Sequence, residues 1–189
     1  MTEPVDTWSS LAFVVAGVWV IVRRRHSGDG APSRAAARAR AALGVLAIGI
    51  GVGSVIQHGP APSWNPVVHD PPLLGAYALV AADAVADLTG RRMRTWWWLV
   101  PTIVDLALAA VDPWASVVAQ GVASGIAVVL ILVRALARPM LRVRLVTAVV
   151  VLGVGALVGF VDPWGHSAWH VLAATAIVVA APAVGARPS

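Results

Sequence analysis

Apolar residues come in seven long runs along this chain, separated by short stretches that carry nearly all of its charge. A helix needs about 20 mostly apolar residues to cross about 30 Å of bilayer hydrocarbon. The runs predict helices over Trp8–Val22, Ala41–Gln57, Leu73–Ala86, Trp96–Val111, Trp114–Leu136, Leu145–Val161 and His166–Val184. They are too many and too long for one aqueous core. The pattern therefore predicts an all-α polytopic membrane protein, a seven-transmembrane-helix bundle forming a single domain over residues 1–189.

The polar breaks alternate in charge. Arg23–Arg40, Arg91–Arg94 and Arg134–Arg144 hold almost every basic residue, whereas His58–Pro72, Asp112–Trp114 and Asp162–His166 contain no Arg. Arg-rich loops stay in the cytoplasm, so the N-terminus is expected outside and the C-terminus inside. Glu3 and Asp6 precede the first run and Arg23, Arg24 and Arg25 follow it, the reverse of a secretory signal. Trp8, Trp64, Trp114, Trp164 and Trp169 fall near the expected outer surface and Trp96, Trp97 and Trp98 near the inner one, as interfacial belts do.

Composition agrees with lipid as the solvent. The chain is 59% hydrophobic and 12% charged, with mean hydropathy +0.81, against about 45–50% and about 25% in soluble domains. The net charge of +5 comes from 14 basic residues, all Arg, confined to loops rather than spread over a face. Topology explains them, and no nucleic-acid partner is expected. The absence of Lys beside abundant Ala and Arg points to a high-GC genome and hence a bacterial cell membrane. With no Cys, any metal must be held by His, Asp, Glu or other oxygen donors.

Five His residues supply the candidate chemistry. His26 lies in a basic loop, whereas His58, His69, His166 and His170 all map to the expected outer ends of helices. Polar groups collected at one membrane depth suggest a functional site. His166 and His170 stand four apart, on one helical face, as two imidazoles reaching one metal would. Ser54 and His58 repeat that spacing, and Asp70 follows twelve residues on. Three His with an open position form the ligand set of a catalytic zinc. Val111-Asp112-Pro113-Trp114 recurs as Val161-Asp162-Pro163-Trp164, each placing an Asp cap and a Pro at a helix start.

Ser54-x3-His58, Asp70 and His166-x3-His170, with the opening Glu3-Pro-Val-Asp-Thr-Trp-Ser-Ser-Leu, resemble the alkaline ceramidases. These share a seven-helix superfamily with the progestin and adiponectin receptors and hemolysin III-like proteins. The resemblance implies a zinc amidase acting on a membrane lipid within the bilayer. By carry-over, His58, His166 and His170 hold zinc near the extracytoplasmic face, Asp70 takes the water proton, and Ser54 bonds the oxyanion. Alkaline ceramidases place an acidic, aromatic calcium-binding segment before the first helix. Glu3 alone falls short of the roughly six to eight oxygens calcium takes, so zinc is implied and calcium is not.

Other readings stay open. His69 stands beside Asp70, and spacing does not decide which of them faces the metal. A non-catalytic receptor or channel-like protein with a structural metal site would use the same three His. Haem ligation wants His facing across the bilayer core, and a transporter wants paired charges near the midplane. Asp83 and Asp105 lie inside apolar runs, and Asp87 is expected to pair with Arg91. Ser9 and Ser10 line the site or satisfy helix-end backbone, while Glu3 and Asp6 are expected to be solvated.

Overall fold

The structure is a computed structural model that describes residues 3–23, 33–161 and 164–187. His26 and the second Asp-Pro pair, Asp162 and Pro163, lie outside those residues. Among the described residues the chain forms eight α-helices, a terminal 3-10 turn and no strand. The helices are α1 Pro4–Ser9, α2 Leu11–Arg23, α3 Arg34–His58, α4 Asn65–Leu88, α5 Trp96–Val111, α6 Pro113–Ala137, α7 Pro139–Val158 and α8 Gly165–Ala180. The first two form one bent rod. With them joined, six helices are long and apolar enough to cross a membrane, while α5 is a shorter apolar helix.

Helices α2, α3, α4, α6, α7 and α8 pack in sequence and close a ring, with α5 lying outside it against α4 and α6. Large apolar side chains face outward: Met140 is 89% exposed and Phe160 88%. The buried apolar positions are mostly Ala. Small residues let helix backbones approach closely where no hydrophobic effect separates protein from solvent. Gly17 and Gly44 show the requirement, since a Cβ on Gly17 would lie 2.4 Å from the Gly44 carbonyl oxygen.

Several helices overrun their apolar runs. α3 starts at Arg34 behind the Ser33 cap, and α7 starts at Pro139 and includes Arg142 and Arg144. Arg stems lie along apolar surface while the head groups reach water, so charge marks the interface before the helix ends. The largest difference is α4. The sequence expects it to begin at Leu73, after Pro71 and Pro72, but it begins at Asn65 with both prolines inside. Gly53 brings α3 against His69, where a Cβ would sit 2.5 Å from the His69 Cα. Packing thus holds a turn that two prolines weaken. As a result His69 and Asp70 project from a helix rather than a loop.

The Arg-rich end is fastened by ion pairs. Buried Arg134 donates from Nε to Asp87 at 2.7 Å and from Nη1 to Asp83 at 2.8 Å, and its Nη2 reaches the carbonyls of Ala183 and Ala186. Arg138 adds to Asp87, and Arg187 to Asp83. Asp87 therefore pairs with α6 rather than with Arg91. Its helix stops at Leu88, and Gly90 at φ +67° turns Arg91 off the helix face.

Candidate metal centre

The opposite end of the ring gathers the end of α3, the start of α8 and the short helix α1. The imidazoles of His58, His166 and His170 each offer a ligand atom, and these atoms all lie within 4.8 Å of one another. His58 and His170 are buried, while His166 is exposed and forms the open side. The Nε2 atoms of His58 and His166 are 3.2 Å apart. Two nitrogens on one tetrahedral zinc, each at about 2.0–2.1 Å, stand roughly 3.3 Å apart. That pair is spaced as two ligands of a zinc-sized ion are, and the third ring lies close enough for the set to hold a metal.

The groups behind the rings fix which nitrogens face inward. Ser9 Oγ donates to the Asp6 carbonyl at 3.0 Å and Ser10 Oγ to the same oxygen at 2.6 Å. Both hydroxyls also meet His170 Nδ1, at 2.8 and 3.4 Å. In the tautomer where Nδ1 carries the proton, they accept it and Nε2 is the atom that can serve a metal. His58 Nδ1 likewise meets the Glu3 carboxylate, and a carboxylate oxygen there accepts from an Nδ1–H. Such outer partners set ring orientation and raise ligand basicity in metal sites.

Helix α1 supplies these partners because it folds across the ends of α3 and α8. Glu3 N–H donates to the His58 carbonyl at 3.1 Å, and Ser167 Oγ donates to the Asp6 carboxylate. Glu3 is exposed, as expected of a solvated acid, and also meets His58; Asp6 is partly buried and ties α1 to α8. Spacing held a signal for this, since residues 3, 6 and 10 fall on one face of a helix.

Ser54 is buried on α3, one turn deeper than His58. Asp70 is buried as well, but its hydrogen bonds lead elsewhere. His69 Nδ1 donates to Asp70 Oδ1 at 2.7 Å, and Ser116 Oγ lies 3.0 Å from Asp70 Oδ2. His69 is within electrostatic reach of His166 and His170. Asp83 belongs to the ion pairs at the far end, and Asp105 approaches Ser116 at 2.9 Å.

An apolar cavity of about 80 Å³ fills the middle of the ring, walled by Phe13, Leu73, Tyr77, Leu152 and Ile177 among others. Phe13 also meets the His170 ring edge-on, centroids 5.9 Å apart, so cavity and His cluster share a wall. Comparison with protein families and with curated proteins finds no match for this chain.

Proposed function

We propose that the chain is a zinc-dependent, ceramidase-like hydrolase that cleaves the amide bond of a membrane lipid. The observation that carries this reading is the set of three converging imidazoles, two of them held from behind through Nδ1. In this reading all seven rods span the bilayer. The 16-residue α5 is about 24 Å long and spans with help from its neighbours. The Arg-rich end is cytoplasmic and the His cluster lies near the extracytoplasmic face.

His58, His166 and His170 would hold the metal. Zinc with three protein ligands supplies Lewis acidity and an activated water nucleophile at neutral pH. His69 would be the group beside the site to take up a proton, through Nε2. Asp70, with its oxygens directed to His69 and Ser116, positions that ring rather than meeting the water itself. Ser54 Oγ donates to the developing oxyanion. Apolar walls beside His170 exclude bulk water and receive acyl methylenes.

The test is metal content per chain in detergent-purified wild type and His58→Ala, followed by hydrolysis of a ceramide. The reading expects one zinc in wild type, little in the variant, and loss of fatty-acid release in the variant. Zinc without hydrolysis would favour a structural metal site in a receptor or channel-like protein. Wild-type protein that hydrolyses ceramide after complete zinc removal would overturn the mechanism.

A further inference from the structure

A second cavity, of about 630 Å³, lies outside the ring between α4, α5 and α6. That volume falls within the roughly 300–1,000 Å³ of small-molecule sites. Its wall is built from apolar residues such as Leu74, Ala78, Val104, Ala119 and Ala123. Among the described residues, Asp105 is its one ionisable lining group. Asp105 is fully buried, and its Oδ2 is the one buried side-chain polar atom found without a hydrogen-bond partner among the described residues.

Proton counting sharpens the point. Ser116 Oγ stands 3.0 Å from Asp70 Oδ2 and 2.9 Å from Asp105 Oδ1, and Gln120 Nε2 donates to it at 3.1 Å. One hydroxyl proton cannot serve two carboxylates. The second carboxyl must hold a proton of its own or be met by a cation. A buried carboxylate between membrane helices is expensive until paired. The cavity therefore offers an apolar sleeve lined in part by Asp105, whose Oδ2 has no hydrogen-bond partner.

We propose that this cavity binds a single-chain alkylamine, its ammonium pairing with Asp105 and its chain lying along α4 and α6. An acyl chain would satisfy the walls but leave Asp105 Oδ2 unpaired, and an inorganic cation would satisfy Asp105 but leave the walls empty. The proposed amide hydrolysis releases an amine of this class, so naming the occupant as the reaction product rests on that reading. Binding of the amine does not.

The experiment is equilibrium binding of radiolabelled hexadecylamine to the full-length protein in nonionic detergent, with hexadecanol as the uncharged control. Wild type is expected to bind one hexadecylamine and to prefer it over hexadecanol. Asp105→Asn should weaken hexadecylamine binding at least about tenfold, the range of a charge-assisted hydrogen bond, and leave hexadecanol unchanged. Ala123→Phe should weaken both by filling the cavity. His170→Ala should leave both intact, which separates failure of this site from failure of the hydrolase reading. Wild-type affinity for hexadecylamine in Asp105→Asn would overturn the proposal. If Asp105→Asn does not fold, unchanged binding in Ala123→Phe would overturn it, as would equal binding of amine and alcohol by wild type.

Discussion

At the Arg-rich end of the ring, Arg134 lies between Asp83 and Asp87 and spends its remaining donors on two backbone carbonyls. At the other end His58, His166 and His170 turn nitrogens toward one another, and the Nδ1 atoms of His58 and His170 meet Glu3 and Ser9 on α1. Both ends bury polar groups in a bundle whose outer faces are apolar. They differ in how the polar groups are arranged. Arg134 has a fixed partner on every side and holds the end of α6 to α4 and to the C-terminal turn. The three imidazoles instead bring ring nitrogens together, two of the rings being held through Nδ1 by α1. That convergence separates a candidate site from a fastening.

Replacing Arg134 is the strongest way to break this comparison. Arg134→Ala leaves Asp83 and Asp87 without their main counter-ion, and breaking a buried pair from one side costs about 3–5 kcal/mol. Equilibrium unfolding in mixed detergent and dodecyl sulfate should show a loss of that size. Zinc per folded chain should stay at the wild-type level, because α6 supplies no metal ligand. A stable Arg134→Ala protein would mean that the exposed Arg138 and Arg187 suffice to hold that end. A folded one without zinc would mean that the two ends are coupled.

The residues that were legible in the sequence share one property: their signal is local. Trp96–Val111 is bounded as its apolar run predicts, and the Asp112 cap on α6 follows from Asp-Pro spacing. The pair His166 and His170 is visible as one turn of helix. What was not legible depends on distant chain. Asp87 looks like a partner for Arg91 four residues on, but the helix ends between them and Arg134 arrives from α6. Glu3 and Asp6 read as solvated acids, and Glu3 is exposed, but their contacts with His58 and Ser167 arise only where α1 packs on α3 and α8. Spacing left open whether His69 or Asp70 faces the metal, and the contacts of Asp70 with His69 and Ser116 depend on how α4 and α6 pack. The start of α4 was hidden by Pro71 and Pro72, whose local preference is outweighed by packing at Gly53.

A smaller substitution tests whether the outer partners of the imidazoles matter beyond packing. Glu3 is about half exposed, and Gln keeps its shape while removing the charge that faces His58 Nδ1. Loss of such a partner typically lowers metal affinity about 10–100-fold. Glu3→Gln should therefore give up zinc to a competing chelator at correspondingly lower chelator concentration, with helix content and unfolding midpoint unchanged. An unaltered zinc affinity would reduce Glu3 to a lid contact and remove one of the two arguments for a prepared metal centre.

The smallest expected effect comes from a carboxylate on the connection between α5 and α6. Asp112 is exposed and accepts from the backbone N–H groups of Trp114 and Ala115 at 3.1 and 3.2 Å, so it caps α6 one turn before Ser116. Replacing such a cap with Ala costs about 1 kcal/mol. Asp112→Ala should show that loss in unfolding, while zinc affinity stays at the wild-type value, because its oxygen already serves the helix and reaches no imidazole. If zinc binding weakened as much as in Glu3→Gln, fraying at the start of α6 would have to reach the metal through Ser116, Asp70 and His69. The converging rings would then be one part of a site that includes the network behind them.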